Sequence, residues 1–312
     1  MMMKQTKPWS PSNTSTLREI LFLIYHVLRG FVMSFVQMIF PRKLKNLYGE
    51  VALITGAGGG LGRELALQLS DLGVKVVVVD INEKAAEETV KMIRSKGADK
   101  EDCLSYQCDV SNPKEVSYLL DRISKETKLT MLVNNAGIAY TKPFMKHSLE
   151  EIESLFKVNV LSHMYLLKEI LPTFIEADKG HVVSIGSIAG SIGTPNLVPY
   201  CSTKFAIRGL TDSLLLELRE HYPKSSVKMT TAHPYSFKSD LIPKPKNRFE
   251  NMFPIYTPKE VARRVIEAVR RDETVVMMPP LAGIASNFQS IVPAPVKYAL
   301  LDFLGCGVEE TQ

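Results

Sequence analysis

Cysteine is scarce in this sequence. Its 312 residues include only four, Cys103, Cys108, Cys201 and Cys306, and they form no C-x-x-C pair and no histidine-rich neighbourhood. A disulfide framework and a zinc site are therefore both disfavoured, and reduced thiols in a protein that faces the cytosol are the simplest interpretation. The histidines are scattered along the chain without the spacing of metal ligands, so we predict no metal site.

A strong excess of one charge sign is also missing. The formal net charge is only +5, and no long basic run concentrates it, so the sequence gives no reason to expect a nucleic-acid partner. Hydrophobic residues make up 45% of the chain and charged residues 23%, which excludes a disordered, collagen-like or coiled-coil protein. The sequence has no internal repeat and no low-complexity tract. Its length fits one large α/β domain or two domains of average size.

One long apolar run differs from this ordinary background. It covers residues 17–40, after a polar tail at 1–16 and before a basic linker at 41–48. A cleaved signal peptide has a shorter apolar run and a cleavage site of small residues, and neither is present. The run is long enough to cross a bilayer. We therefore expect residues 17–40 to form a membrane-associated helix.

The distribution of polar residues along that helix favours an orientation in the plane of the membrane. At about 100° per residue, most of the polar residues fall within half of the circumference, among them Arg18, Glu19 and Arg29. A charge at the centre of a spanning helix costs about 2.5–3.5 kcal/mol on an insertion scale, and Arg29 lies near the middle. A helix in the membrane interface avoids that cost. A spanning helix and a helix packed on a partner subunit are the alternatives.

Residues 49–280 form one predicted domain, in which strand-like apolar runs alternate with amphipathic helical segments. Runs such as 50–55, 74–80 and 181–187 are continuous and rich in β-branched residues, which is typical of a parallel sheet buried on both faces. We predict an α/β fold, a single doubly wound Rossmann-type domain of about seven parallel strands. Ligands bind such sheets at the carboxyl ends of the strands. The apolar C-terminal tail at 281–312 can cover a substrate pocket or lie on the membrane.

A glycine-rich turn follows the first of these runs. It reads Thr55-Gly56-Ala57-Gly58-Gly59-Gly60-Leu61-Gly62 and opens a helical segment, and such glycines let the backbone approach a pyrophosphate at the helix N-terminus. The second run ends in Asp80, where a carboxylate accepts hydrogen bonds from an adenosine ribose and repels a 2′-phosphate. Arg63 lies close enough in sequence to reach such a phosphate, but Asp80 is the stronger indicator. We therefore predict NAD rather than NADP as the cofactor.

A second group of residues has the composition of an acid–base site. Tyr200 and Lys204 are four residues apart, so on a helix they share a face, and a neighbouring cation lowers the pKa of a phenol towards working pH. Ser187 follows the run that begins at residue 181, where its hydroxyl can contact a substrate oxygen. The segment Asn134-Asn135-Ala136-Gly137 ends another apolar run. A lone Y-x-x-x-K is usually a solvated helix face, but this combination makes chance a poor explanation.

With these motifs together, the sequence resembles the short-chain dehydrogenase/reductase family over about residues 48–280. The resemblance implies that Tyr200 is the catalytic acid/base, that Lys204 holds the nicotinamide ribose and lowers the pKa of Tyr200, and that Ser187 polarises the substrate oxygen. It implies also that Asn159 anchors a water in a proton relay through Lys204. The implied cofactor-binding residues are Gly56, Gly60, Leu61, Gly62, Asp80, Asp109, Val110, Asn135, Ala136, Gly137, Tyr200, Lys204 and Ser239.

One loop departs from the family pattern. Pro234 is followed by Tyr235, where the family usually has glycine. Ser239 is the nearest match to a threonine that commonly contacts the nicotinamide amide, and it keeps the hydroxyl that this contact needs. The apolar side chains of the loop at 236–253 either line the pocket of a lipophilic substrate or form a lid that packs on the fold.

Within the family, the chain resembles most the membrane-attached branch that contains epidermal-type retinol dehydrogenases and 17β-hydroxysteroid dehydrogenases. This resemblance rests on the apolar N-terminus, the P-R-K-x-K-N-x-x-G-E lead-in at 41–50 and Tyr200-Cys201-Ser202-Thr203-Lys204-Phe205. It implies an NAD-dependent enzyme that oxidises a lipophilic alcohol, first of all retinol to retinal, with a 17β-hydroxysteroid or another lipid alcohol as alternatives. It implies further a homodimer at the endoplasmic reticulum membrane or a lipid-droplet surface, with the catalytic domain facing the cytosol.

A hypothesis from a different class is a lipid-surface scaffold that keeps the dinucleotide fold and has little turnover. Such a protein has no chemical reason to retain Asn159, Ser187, Tyr200 and Lys204 together, so the intact set favours the enzyme.

Overall fold

The computed structural model describes residues 16–239, 241–242, 245–246, 248–249, 251–305 and 307–310. All but the last residue of the predicted polar tail at 1–16, and Cys306 of the four predicted reduced thiols, lie outside these residues. The other three cysteines are free and buried.

The elements follow one another in the alternating order that the sequence pattern predicts. The strands are β1 (Val51–Thr55), β2 (Lys75–Asp80), β3 (Cys103–Gln107), β4 (Met131–Asn134), β5 (His181–Ile185), β6 (Lys228–Pro234), β7 (Pro245–Lys246), β8 (Val275–Met278) and β9 (Gly307–Val308). The helices are α1 (Thr16–Ile39), α2 (Gly60–Ser70), α3 (Glu83–Ser95), α4 (Pro113–Glu126), α5 (Leu149–Phe156), α6 (Ser162–Glu176), α7 (Val198–His221), α8 (Pro258–Arg271), α9 (Pro280–Ile291) and α10 (Ala294–Leu304).

Seven strands form one parallel sheet in the order β3-β2-β1-β4-β5-β6-β8. The register places Leu53 of β1 beside Val77 of β2 on one side and Leu132 of β4 on the other. The strand order reverses between β1 and β4, and a crevice opens at the carboxyl ends of strands at such a reversal. The predicted doubly wound fold with about seven parallel strands is confirmed.

The sheet is covered on both faces because successive side chains along each strand point to opposite sides. Ile54 lies in the layer formed with α2, α3 and α8, whereas its neighbour Leu53 lies in the layer formed with α4, α6 and α7. Both side chains are fully buried. This double burial explains why the strands have continuous apolar runs rather than alternating ones.

Helix α1 stands apart from this core. Residues 16–37 are long and apolar enough to cross a membrane, and none of them is buried. The linker after α1 is attached to the end of α8: the backbone N–H of Lys45 donates to the carbonyl of Arg270 at 2.8 Å, and Arg270 Nε donates to the carbonyl of Lys45 at 2.9 Å. Lys45 also forms an ion pair with Asp272 at 2.6 Å.

The C-terminal tail folds back over the carboxyl ends of the strands. Ala282 of α9 is buried against Ile188 and Phe253, and Gln289 Nε2 donates a hydrogen bond of 2.8 Å to the carbonyl of Ser191. The sequence left two positions open for the tail, over a pocket or on the membrane. Its inner face lines a chamber at the carboxyl ends of the strands, which is described below. Its outer face carries exposed apolar side chains, which include Ile284, Phe288 and Ile291.

Candidate active site

The glycine-rich turn lies between β1 and α2, with its backbone in conformations that require glycine. Gly56 has a φ of +63°, and a Cβ atom there lies 2.9 Å from the Cα of Ala136. A Cβ atom on Gly62 overlaps the carbonyl oxygen of Gly56. Side chains at these positions therefore collide with backbone, so the bare turn at the N-terminus of α2 has the form of a phosphate cradle.

Asp80, at the carboxyl end of β2, is attached to this turn. Its Oδ2 atom accepts a hydrogen bond of 2.8 Å from the backbone N–H of Gly58, and its Oδ1 atom accepts one of 3.0 Å from the N–H of Asn82. These two bonds hold the carboxylate at the rim of the cleft. Arg63 is directed elsewhere, because its guanidinium forms an ion pair with Glu88 at 2.7 Å and bonds with Thr89 and the carbonyl of Gly58.

The segment after β4 is joined to the first strand. Thr55 Oγ1 accepts hydrogen bonds from the backbone N–H groups of Asn135 and Ala136, at 3.0 and 3.1 Å. Asn135 Nδ2 donates to the carbonyls of Thr55 and Gly56, at 2.9 and 3.1 Å. The side chain of Asn135 thus positions the two loops that meet at the strand reversal.

Tyr200 and Lys204 lie on one face of α7, as their spacing predicts, and both are almost fully buried. The Lys204 Nζ atom is 5.6 Å from the centroid of the Tyr200 ring and donates a hydrogen bond of 3.0 Å to the carbonyl of Ile185, the last residue of β5. Ser187, two residues beyond β5, forms a side-chain hydrogen bond with Tyr200. The structure therefore brings these three predicted residues together.

Burial dominates the ionisation of this group. It raises the pKa of the Tyr200 phenol above its ordinary value, and the hydrogen bond from Ser187 opposes this rise only in part. Burial also lowers the pKa of Lys204 to about 8. The pKa of Tyr200 is therefore raised in this cleft, contrary to the lowering expected from Lys204, because burial disfavours the phenolate.

Asn159 lies beside this group in a π-helical turn, Lys157–Leu161, that separates α5 from α6. Its Oδ1 atom accepts a hydrogen bond of 2.8 Å from the N–H of Ile138, and its Nδ2 atom donates to the carbonyl of Ile138 at 2.9 Å and to Thr203 Oγ1 at 3.1 Å. The amide therefore connects the loop after β4 to α7. Single π turns in helices are frequent at functional sites.

A cleft of about 440 Å³ runs along the carboxyl ends of the strands, from Asp80 to Tyr200. All thirteen predicted cofactor-binding residues line it, whereas Asn159 lies behind its wall. The prediction missed several lining residues, among them Ile81, Cys108 and Gly186. Each of them is next to a predicted site residue, namely Asp80, Asp109 or Ser187, and these neighbours could have indicated them.

A second chamber, of about 560 Å³, adjoins the cleft at Ser187 and Tyr200, which line both spaces. Most of its wall is apolar, and parts of it come from α9 and α10 of the tail and from the loop at 236–253. Ile242 and Phe253 of that loop face the chamber, while Met252 is exposed. The tail was expected either over a pocket or on the membrane, but its individual lining residues were not predicted, because the sequence contains no motif that assigns them to a pocket.

No group of three or more potential metal ligands occurs among the residues that the structure describes. Cys108 lines the cleft, but burial and the nearby carboxylates of Glu115 and Asp109 raise its pKa to about 12. At neutral pH this thiol is therefore protonated and is not a nucleophile.

Comparisons with known proteins match this chain to one family. The sequence model for short chain dehydrogenases matches residues 50–248. The short-chain dehydrogenase/reductase family 16C member 6 of Bos taurus is 34% identical, over 89% of this chain and 87% of the relative. Epidermal retinol dehydrogenase 2 of Homo sapiens is 33% identical, over 94% of each chain, and human 17-beta-hydroxysteroid dehydrogenase 13 is 32% identical, over 88% and 90%.

Solved structures share the fold. A short chain dehydrogenase/reductase from Burkholderia phymatum in complex with NAD has a TM-score of 0.69 at 24% identity, covering 78% of this chain and 94% of that one. A metagenomic short-chain oxidoreductase in complex with NADP has a TM-score of 0.61 at 25% identity, covering 74% and 96%. Proteins of this fold thus occur with either dinucleotide.

Proposed function

The chain belongs to the short-chain dehydrogenase family of NAD(P)-dependent oxidoreductases, and from that premise we propose that it oxidises a lipophilic alcohol with NAD, using Tyr200 as acid/base. One observation carries the proposal: the Ser187 and Tyr200 side chains line both the cofactor-sized cleft and the apolar chamber. An alcohol whose body occupies the chamber therefore presents its hydroxyl to these two residues.

The roles of the residues follow from their contacts. Tyr200 takes the proton of the substrate hydroxyl in its phenolate form, which burial disfavours and the hydrogen bond from Ser187 favours. Ser187 also donates the hydrogen bond that holds the substrate oxygen. Lys204, which is fixed by the carbonyl of Ile185, binds the nicotinamide ribose and supplies positive charge near the phenolate. Asn159 keeps α7 in register through Thr203 and takes part in the proton relay through Lys204. When bound, the oxidised cofactor would supply the acceptor for the hydride of the carbinol carbon.

The surroundings of Asp80 support NAD over NADP. Its carboxylate is held at the rim of the cleft by Gly58 and Asn82, where it accepts hydrogen bonds from ribose hydroxyls and repels a 2′-phosphate. The neighbouring cation, Arg63, is already neutralised by Glu88. We assign the remaining cradle to Gly56, Gly60, Leu61 and Gly62, the adenine side to Asp109 and Val110, and the carboxamide contact to Ser239.

The apolar chamber supports a lipophilic substrate. Relatives at 32–33% identity are named as an epidermal retinol dehydrogenase and a 17-beta-hydroxysteroid dehydrogenase, so we propose retinol first and a 17β-hydroxysteroid or another lipid alcohol second. A volume of about 560 Å³ lies in the range of pockets that enclose small organic ligands, and it accommodates either class.

A membrane location fits such a substrate. We propose that α1 lies in the membrane interface and that the exposed apolar side chains of α9, among them Ile284 and Ile291, face the same lipid. Exposed apolar patches of this kind mark membrane or protein interfaces. The surface is that of the endoplasmic reticulum or of lipid droplets, with the catalytic domain, residues 49–280, in the cytosol.

We propose also that the enzyme is a homodimer. The family resemblance implies pairing through the helices that carry Asn159 and Tyr200. Exposed apolar side chains on the same helical layer support this assignment: Met164 on α6, and Phe205 and Leu216 on α7.

The test is NADH formation by membrane fractions that carry the protein, with retinol, a 17β-hydroxysteroid and a long-chain alcohol offered in parallel and NADP in a second series. General acid–base catalysis contributes about 10²–10⁴-fold, so Tyr200→Phe lowers turnover by at least about a hundredfold while the protein stays folded. Tyr118→Phe, which alters an exposed tyrosine of α4, is the matched control. Equal turnover in the two variants contradicts the role of Tyr200, and no turnover with any alcohol contradicts the proposed function.

A further inference from the structure

The wall of the second chamber contains one unusual group. Asp302 is the only charged side chain among the described residues that line it. It belongs to α10, where Tyr298 precedes it by four residues and also lines the chamber. Residues four apart share a helix face, so a carboxylate and a phenol lie on the same part of an otherwise mostly apolar wall.

Asp302 has no counter-ion within the part of the chain that the structure describes. Arg248 contacts the same end of α10, but its guanidinium lies over the rings of Phe249 and Phe303 and donates to the carbonyl of Phe303 at 3.1 Å. Lys297, the other charged residue of α10, is about 140° away from Asp302 around the helix axis. No side chain that the structure describes therefore compensates the negative charge of Asp302 in the chamber.

The position of Asp302 relative to Ser187 and Tyr200 defines what its charge can do. Ser187 and Tyr200 occupy the part of the chamber wall that is shared with the cleft, whereas Asp302 and Tyr298 line only the chamber, in the part formed by the tail. Asp302 is also exposed, so it belongs to the open part of the chamber. A substrate that presents its hydroxyl to Tyr200 therefore directs its far end towards the tail and Asp302.

We propose that Asp302 selects the substrate by the far end of the molecule: neutral lipophilic alcohols are accepted, a second hydroxyl is favoured, and fatty acids that carry a hydroxyl are rejected. The inference rests on the proposed function and narrows its substrate class. A carboxylate accepts a hydrogen bond from a distal hydroxyl, a charge-assisted contact that is stronger than a neutral one. It repels a distal carboxylate, and a bound substrate that excludes water from the apolar wall between the two charges weakens the screening of this repulsion.

The test uses three compounds of equal chain length with the same reacting carbinol: a long-chain α,ω-diol, the corresponding primary alcohol and the corresponding ω-hydroxy acid. The full chain is assayed in neutral detergent micelles by NADH formation, so that no charged lipid biases the partitioning of the acid. We expect kcat/KM for the acid to be about tenfold below that for the diol. Asp302→Asn raises the acid-to-diol ratio about tenfold, and Asp302→Lys reverses the preference.

The matched control is Asp121→Asn, which removes an exposed carboxylate on α4 and leaves the ratio unchanged. An acid-to-diol ratio that is the same in wild type, Asp302→Asn and Asp302→Lys overturns the inference.

A binding measurement distinguishes failure of this inference from failure of the proposed function. Displacement of a fluorescent long-chain alcohol by the same three compounds gives the selectivity without turnover. Selective binding that depends on Asp302, in a protein that oxidises none of the compounds, supports the inference and overturns the proposed function. Turnover of all three compounds that does not change when Asp302 is replaced supports the proposed function and overturns the inference.

Discussion

The side-chain amide of Asn159 donates a 3.1 Å hydrogen bond to Thr203 Oγ1 and so connects a π-helical turn to the helix that carries Tyr200 and Lys204. Thr203 Oγ1 donates in turn to the carbonyl of Tyr200 at 2.7 Å. Asn159 is completely buried and also bonds both backbone groups of Ile138. One amide thus holds together the loop after β4, the π turn and the proposed catalytic helix.

Replacing Asn159 is therefore expected to destabilise the protein as well as the site. Asn159→Leu leaves the N–H and carbonyl of Ile138 without their partners, and each unsatisfied buried polar group costs about 1–3 kcal/mol. We expect a loss of about 2–4 kcal/mol in the free energy of unfolding. Thr203→Val removes one of the three bonds of Asn159 and the bond to the carbonyl of Tyr200, and it costs about 1–2 kcal/mol. Denaturant titration of both variants checks the order, and equal losses contradict the account.

The ion pair between Arg63 and Glu88 makes a prediction about cofactor choice. Glu88→Gln removes the carboxylate that neutralises Arg63, so the guanidinium becomes available to a 2′-phosphate and the NAD-to-NADP ratio of kcat/KM falls about tenfold. Glu87→Gln, at the exposed neighbouring carboxylate of α3, is the control. The measurement is initial rates with each cofactor, and an unchanged ratio in Glu88→Gln contradicts a role for the ion pair.

A stronger reversal is expected from Asp80→Asn combined with Ile81→Arg. The first change removes the repulsive charge, and the second places a cation at an exposed position on the rim of the cleft. We expect NADP to become the preferred cofactor. Continued preference for NAD shows that Asp80 does not determine the selectivity.

Burial of Lys204 makes stability depend on pH. Its pKa falls from the ordinary 10.5 to about 8 in the folded protein, so between these values the unfolded chain binds one proton more than the folded one. The free energy of unfolding therefore rises with pH through this window. The cost of burying the charged lysine is fully present below about pH 8. Lys204→Met removes this contribution.

The measurable quantity is the difference in unfolding free energy between wild type and Lys204→Met. We expect it to shift in favour of wild type by on the order of 3 kcal/mol between about pH 7 and about pH 10. Lys125→Met, at an exposed lysine of α4, shows no such trend. A difference that stays constant over this range contradicts the prediction, because it means that the charged form of Lys204 does not lower the stability at neutral pH.

The orientation of α1 is open to a topology measurement. An in-plane helix keeps an N-terminal tag and the catalytic domain on the same side, so in sealed microsomes both are accessible to protease from the cytosol. Arg29→Leu removes a central charge that costs about 2.5–3.5 kcal/mol in a spanning helix, and we expect it to increase the protected fraction of the tag. Full protection in wild type means that the helix spans the membrane.

Much of the fold was predictable because its signals are local. The continuous apolar runs indicate strands such as β2 and β5 that are buried on both faces, and the spacing of Tyr200 and Lys204 is a property of any helix. Gly56 and Asp80 were predictable too, since a tight turn and a strand end have their own residue preferences. The predicted cofactor-binding residues consequently line one cleft.

The ionisation of the site was not predictable in this way. Proximity to Lys204 led to the expectation of a lowered pKa for Tyr200, yet the phenol is buried by side chains from several distant segments, and burial raises the pKa. Arg63 is a similar case, because its engagement by Glu88 joins α2 to α3. Neither result follows from residue spacing.

The sequence by itself determined the family, the parallel α/β architecture and the cleft residues, since these depend on periodicity and on short motifs. Only the tertiary structure decided that the tail completes the second chamber, that Asn159 joins three segments and that Asp302 belongs to a mostly apolar wall. The physical reason is that such contacts join residues far apart in the chain, as Gln289 and Ser191 are. Burial and charge at these points depend on how whole elements pack, and no local pattern records that.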